Sequence, residues 1–86
     1  MITNVYGIQD TIAGTFNNPF VMMNDGMAKR AFQQLTDDPQ SSINKAPGDY
    51  KLFKLGTFDD NSGLLTPEKT PKYLATGMLT PTTPNP

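Results

Sequence analysis

The chain has 86 residues, enough for one domain, and it contains no histidine, cysteine or tryptophan. Disulfides and zinc sites built from cysteine and histidine are therefore excluded as braces for so small a core. Seven Lys and Arg residues against eight Asp and Glu residues give a net charge of −1, so the surface as a whole does not attract phosphate strongly. Because a short chain buries a small share of its surface, we expect a homo-oligomer, most simply a dimer.

The first predicted strand covers residues 4–9, an aromatic and β-branched stretch that Asp10 closes. A run of turn-forming residues, 17–19, follows, and residues 15–16 before it are predicted as a short return strand. The brief apolar run 20–23 then leads into a helix.

The helix is predicted over residues 25–37. Asn24 or Asp25 is expected to accept hydrogen bonds from the free N–H groups of the first turn. Pro39 ends the helix because it pushes the residue before it out of the α region. The apolar residues at helical spacing form one stripe: Met27, Ala28, Ala31, Phe32 and Leu35.

A helical turn is predicted at residues 41–44, followed by a strand over residues 49–58. Alternation places Tyr50, Leu52 and Lys54 on one face of this strand and Lys51, Phe53 and Leu55 on the other. Neither face is purely polar, so the strand is expected to be central or to lie at an interface. Gly56 is expected to bend it.

Residues 59–63 predict a turn, with glycine last in a position that favours positive φ, and residues 64–65 begin a paired strand. Five of the eight prolines follow Leu65, which is typical of an extended tail. Within this stretch, residues 72–75 are expected to dock as a strand or a short helix. The sequence thus predicts a core domain over 1–65 and a partly extended Pro/Thr-rich C-terminal tail over 66–86.

The predicted fold class is α+β, with a small antiparallel sheet in ββαβ(β) order packed on one amphipathic helix. We expect no catalytic residue, no metal site and no cofactor, and therefore no enzyme: a nucleophile would lack its usual base. The paired aspartates at 37–38 and 59–60 adjoin turn formers, where aspartate bonds the backbone. The sequence also predicts no secretory signal, no membrane span and a cytosolic location.

Basic and aromatic residues interleave, the combination that single-strand binding proteins use. The candidate nucleic-acid-binding residues are Lys29, Arg30, Lys51 and Lys54 with Tyr50 and Phe53. Because the same aromatic residues could instead build the core, the residues alone leave both interpretations open.

An ordered series of short motifs runs through residues 5–65. Its members are Val5-Tyr6-Gly7-Ile8, Asp10, Asn18-Pro19-Phe20, Asn24-Asp25, Ala28, Arg30, Phe32, Ser42, Pro47, Asp49-Tyr50, Leu52, Leu55-Gly56, Phe58-Asp59 and Gly63. This series resembles the small non-structural protein of gokushoviruses, a subfamily of the single-stranded DNA phages Microviridae.

This resemblance implies a phage protein absent from the virion that supports synthesis of viral single-stranded DNA in the host bacterial cytoplasm. It would bind the displaced strand or help switch replication toward genomes for packaging. The alternative is an interaction factor that acts without DNA contact on a replication initiator, a host replication protein or a procapsid. A third possibility, a scaffold-like virion component, fits less well because scaffolds tend to be rich in helix.

Overall fold

A computed structural model describes residues 1–81; residues 82–86, the end of the predicted tail, lie outside the described residues. The described residues combine a small antiparallel sheet with one main helix, as the sequence predicts. The elements in chain order are β1 (Ile2–Asp10), β2 (Thr15–Phe16), β3 (Phe20–Met22), α1 (Asp25–Asp37), α2 (Ser42–Lys45), a 3₁₀ turn (Pro47–Asp49), β4 (Tyr50–Asp59) and β5 (Leu65–Thr76).

The element order differs from the predicted ββαβ(β) by one strand before the helix. The run Phe20–Met22, expected only to lead into α1, pairs antiparallel with β1, and Val21 lies opposite Val5. Three residues are too few for a periodic pattern to reveal a strand. Only its pairing with β1 identifies Phe20–Met22 as a strand.

The sheet has the order β2–β1–β4–β5, and β3 continues along the same side of β1 as β2. β4 is therefore a central strand, as its two apolar faces predicted. It pairs with β1 over nearly its whole length and with β5 on its other side.

The core lies between one face of the sheet and the two helices. It comprises six buried apolar side chains: Tyr6, Ile8, Ala28, Phe32, Ile43 and Leu52. The predicted apolar stripe of α1 is divided. Ala28 and Phe32 are buried, whereas Met27 and Leu35 stay about half exposed at 46% and 43%. A single helix rests on the sheet along a narrow line, so the outer members of a broad stripe do not reach it.

The segment 66–76, predicted as the start of the tail, instead belongs to β5. Asp59 and Leu64 close a tight turn in which Gly63 takes φ +76, and the chain returns along β4. Pro67 is accommodated because β5 is an edge strand, where a missing N–H breaks no inner ladder. An edge strand and an extended tail have similar composition, and only the pairing separates them. The predicted division of the chain into a core domain, 1–65, and a tail, 66–86, stays a prediction.

Gly56 lies where β4 shifts register against both neighbouring strands. A Cβ atom at this position would be 2.3 Å from the carbonyl oxygen of Thr66. The predicted bend is thus a bulge at which β5 comes too close for any side chain.

The start of α1 is bonded to β1 through partly buried polar groups. Of the two candidate residues, Asn24 caps the N-terminus of the helix. Its Oδ1 accepts a hydrogen bond from the backbone N–H of Met27 at 2.9 Å. Asp25 has a different role, since its Oδ1 accepts from the Tyr6 hydroxyl at 2.7 Å. The Asn4 amide in turn donates to that hydroxyl at 3.0 Å. Burial, with Asp25 beside it, raises the pKa of Tyr6 to about 12.

We predict that Tyr6 makes stability fall steeply in alkali. The unfolded phenol ionises at its ordinary pKa of 10.0 and the folded one only at about 12. The stabilisation is therefore complete below pH 10 and is lost as the pH rises toward 12. Urea unfolding of the wild type and of Tyr6→Phe, from about pH 7 to about pH 12, measures this loss.

In Tyr6→Phe, the fall in the free energy of unfolding that the ionisation of Tyr6 causes at alkaline pH should be absent. At neutral pH this variant should be less stable by about 1–3 kcal/mol, because Asp25 loses its donor. Parallel pH curves for the two proteins would show that the Tyr6–Asp25 bond does not link β1 to α1 energetically.

Candidate nucleic-acid interface on the open face of the sheet

The face of the sheet that points away from α1, called here the open face, carries three aromatic rings in contact. Phe53 lies between the other two, with ring centroids 5.5 Å from Phe16 and 5.9 Å from Tyr73. Both contacts are edge to face. We call these three residues the aromatic row; they come from β4, β2 and β5, so the row crosses the whole sheet.

Gly7 makes the row continuous across β1. It pairs directly with Phe53, and without a side chain it lets Phe16 reach over the strand. A Cβ atom on Gly7 would lie 2.8 Å from Leu55 Cδ1 and 3.1 Å from Phe16 Cδ2. Phe16 and Leu55 thus pack closely over the backbone of Gly7.

Lys51 places a positive charge at one end of the row. Its Nζ lies 5.9 Å from the centroid of the Tyr73 ring, within the range of a cation–π contact. The Tyr73 hydroxyl also shares a hydrogen bond with the Thr76 hydroxyl, and Thr76 pairs with Lys51 across the strands. This end of the open face therefore combines a cation, hydroxyl groups and a ring.

An apolar hollow of about 320 Å³ adjoins the row. Leu55, which rests over Gly7, forms the wall between the hollow and Phe16. The hollow is lined by Val5, Pro19, Leu55, Gly56, Thr57, Leu65, Thr66 and Pro67. The aromatic row and the hollow together give the open face a large apolar area, whereas the exposed face of an antiparallel sheet is usually polar.

Exposed rings in a row suit one chemistry above others. Tyr73 is 53% and Phe16 40% exposed, so flat ligands can reach both. Each nucleic-acid base presents a π face that stacks on such rings, with little dependence on its identity. Among residues 1–81, no cluster of three or more acidic side chains is placed to hold a metal ion. Over the same residues, no helix is both long and apolar enough to cross a bilayer.

Comparison with known proteins places the chain in a family. The sequence profile of a family described as phage ORF5 protein matches residues 3–79, nearly the whole of the sheet and both helices. The chain belongs to the phage ORF5 protein family. This match confirms the resemblance to a small phage protein, and the narrower resemblance to gokushoviruses stays a prediction. No curated protein and no solved structure matches the chain.

The structure of this phage ORF5 protein does not bring the six predicted binding residues onto one surface. Lys51 and Phe53 lie together on the open face. Tyr50 packs against the core on the opposite face. Lys54 lies on that same opposite face by alternation, 3.7 Å from Glu68 and only 19% exposed.

Lys29 and Arg30 occupy the exposed side of α1, as the sequence predicts. Because α1 covers the face opposite to the aromatic row, these two cations are separated from Lys51 by the thickness of the sheet. A DNA strand that lies on the aromatic row therefore cannot contact Lys29 and Arg30 directly.

Two members of the row, Phe16 and Tyr73, were absent from the predicted site. Phe16 sits in a two-residue strand, and Tyr73 in a segment expected to dock in an undefined way. One signal was available: an aromatic residue in each predicted strand, with a glycine in the strand between them. It becomes informative only once the register of β1, β4 and β5 is known.

We predict that Gly7→Ala disturbs the aromatic row and destabilises the fold by about 1–3 kcal/mol, because the new methyl group displaces Leu55 and Phe16. The matched control is Gly48→Ala, which has open space around its Cβ and should change stability by less than about 0.5 kcal/mol. Urea denaturation measures both, and ring proton shifts of Phe16 report the displacement. Equal stability of the two variants would show that Leu55 moves aside freely.

Proposed function

We propose that this phage ORF5 protein is a non-structural protein that binds single-stranded DNA on the open face of its sheet. Its role would be to support viral genome synthesis, or the switch of that synthesis to packaging, in the cytoplasm of the host bacterium. The observation that carries the proposal is the exposed aromatic row with Lys51 at its end.

Stacking supplies most of the affinity in this proposal. A base stacked on an exposed ring contributes about 1–3 kcal/mol, and both Tyr73 and Phe16 are accessible. The row offers no pattern of donors and acceptors along a base edge, so binding discriminates weakly between sequences.

Charge is expected to contribute less to the affinity for DNA than it does in most single-strand binding proteins. The net charge is −1, and Lys51 is the cation that ring contact and strand pairing place beside the row. Each phosphate contact to a single strand contributes about −0.7 to the slope of log K against log salt. We therefore expect a shallow slope, between about −0.7 and −1.5 for one or two contacts.

A protein partner is the second candidate for the same surface. The hollow beside the row is almost wholly apolar, and apolar surface of this kind marks contacts between proteins as well. A replication initiator, a host replication protein or a procapsid would then meet the open face without DNA. The near-neutral charge supports this candidate, while the alignment of the rings supports DNA.

We predict that Tyr73→Ala and Lys51→Gln each weaken binding to a labelled single-stranded oligonucleotide. Tyr73→Ala should lose about fivefold to a hundredfold in affinity through one stacked base. Lys51→Gln should also flatten the salt dependence by about 0.7 in slope. Fluorescence anisotropy at low salt is the measurement.

The control is Lys45→Gln, which changes the net charge by the same amount at an exposed site in α2 and should bind as the wild type does. Equal weakening by Lys51→Gln and Lys45→Gln would mean that overall charge, and not the aromatic row, holds the DNA. Absence of binding at about 50 µM wild-type protein would remove DNA as the ligand and leave the protein partner.

A further inference from the structure

The helix α1 has three sides with different environments. Ala28, Phe32 and Thr36 face the core. A second side is covered by the chain after β5: the Gln33 side chain donates to the Met78 carbonyl at 2.7 Å, and Asp37 accepts from the backbone N–H of Thr80 at 2.8 Å. The backbone N–H and the hydroxyl of Thr80, and then the Gln33 amide, donate to Asp37 and hold the pKa of its carboxyl below the usual value.

The third side of α1 is apolar, and none of residues 1–81 covers it. Met27, Ala31 and Leu35 follow one another at intervals of four residues, so they lie along one line of the helix. Ala31 and Leu35 border a groove of about 440 Å³ between α1 and β3, lined by Phe20, Met22, Ala31, Gln34, Leu35 and Asp38. We call this line of three residues with its groove the helix flank.

The chain's own C-terminal segment does not suit the flank. Gln33 and Asp37 bind it on the other side of α1. The residues of the sequence that follow Thr80 are proline, threonine and asparagine, which supply no large apolar side chain. These residues therefore do not suit the apolar groove.

We propose that the occupant of the groove is a second copy of the chain, with the two α1 helices antiparallel and Ala31 on the two-fold axis. The flank is complementary to itself in that arrangement. Rotation about Ala31 places Met27 of each copy against Leu35 of the other, because both lie four residues from the centre. The small side chain of Ala31 lets the helices approach closely, and rows at i±4 spacing pack into one another's grooves.

The edges of the sheet are poor sites for self-association, which favours the flank. β5 carries two prolines and two lysines, Pro67, Pro71, Lys69 and Lys72, which are devices that block pairing with another strand. On the opposite side the edge is divided between β2 and β3 by a connection that contains Pro19. Neither edge therefore offers a long strand that is free of prolines and breaks.

The size and charge of the flank fit a dimer of modest affinity. α1 has 13 residues and is about 20 Å long, so one helix pair buries less than the roughly 800 Å² per partner of a standard interface. Asp38 is the charged residue that borders the groove, and in the antiparallel pair the two Asp38 side chains lie toward opposite ends of the helices, about 20 Å apart. They therefore repel each other little.

The dimer does not depend on the proposed DNA binding. The flank and the aromatic row lie on opposite sides of the sheet, so both surfaces can be occupied at once. Variants on one surface should leave the other unchanged.

Cysteine crosslinking tests the position of the axis, because the chain has no cysteine of its own. In Ala31→Cys the two thiols should meet across the axis, and mild oxidation should give a covalent dimer at about 10 µM chain. Lys45→Cys, at an exposed site on α2, is the control and should stay largely monomeric. Equal crosslinking of both variants would mean random collision and would overturn the proposal.

Sedimentation equilibrium from about 1 µM to about 1 mM chain tests the interface without a crosslink. The wild type should shift from monomer to dimer, and Leu35→Glu should remain monomeric over this range. Ile12→Glu is the matched control, an equally drastic change at a residue that is 78% exposed in the β1–β2 turn, and it should dimerise normally. Circular dichroism establishes that both variants are folded.

Two results would overturn the proposal. A wild type that is monomeric at every concentration would leave the flank to another protein or to solvent. A dimer that Tyr73→Ala dissociates and Leu35→Glu does not would move the interface to the open face.

Discussion

One 13-residue helix, joined only by the four-residue α2, must cover a five-stranded sheet in this protein, and the rest of the structure follows from that limit. α1 reaches the middle of one face, where Tyr6 and Leu52 are fully buried against Phe32 and its neighbours. It cannot cover the other face, and it cannot bury all of its own apolar stripe. The six-residue core is small for this reason, and polar links such as Tyr6–Asp25 become important for fixing the helix to the sheet.

The same limit leaves two apolar surfaces on opposite sides of the molecule. The open face presents the aromatic row with Lys51, and the helix flank presents Met27, Ala31 and Leu35 beside a groove. They differ in chemistry: rings with a cation suit flat, negatively charged ligands, whereas an aliphatic line on a helix suits another helix. A small phage protein could therefore bind a strand with one face and its own copy with the other at the same time.

Much of the fold could be predicted because its signals are local. The helix bounds 25–37 come from the cap at Asn24, the spacing of Ala28 and Phe32, and the stop at Pro39, all within a few residues of one another. The two apolar faces of β4 allowed either a central position or an interface, and the sheet order decides for the central position. β3 and β5 could not be predicted in the same way. β3 is too short to show a period, and the prolines of β5 are typical of tails as well as of edge strands.

The sequence by itself determined the α+β class, the main helix, the return turn at Gly63 and the resemblance to a phage family that the family match then confirmed. It also placed Lys51 and Phe53 on the same side of their strand. Only the tertiary structure decided that Phe16 and Tyr73 join Phe53, that Tyr50 and Lys54 turn away from them, and that Met27 and Leu35 stay uncovered. The physical reason is that alternation orders side chains within one strand, whereas a surface depends on register between strands far apart in the chain. Gly7 illustrates this: its role appears only when Phe16 and Leu55 close over it.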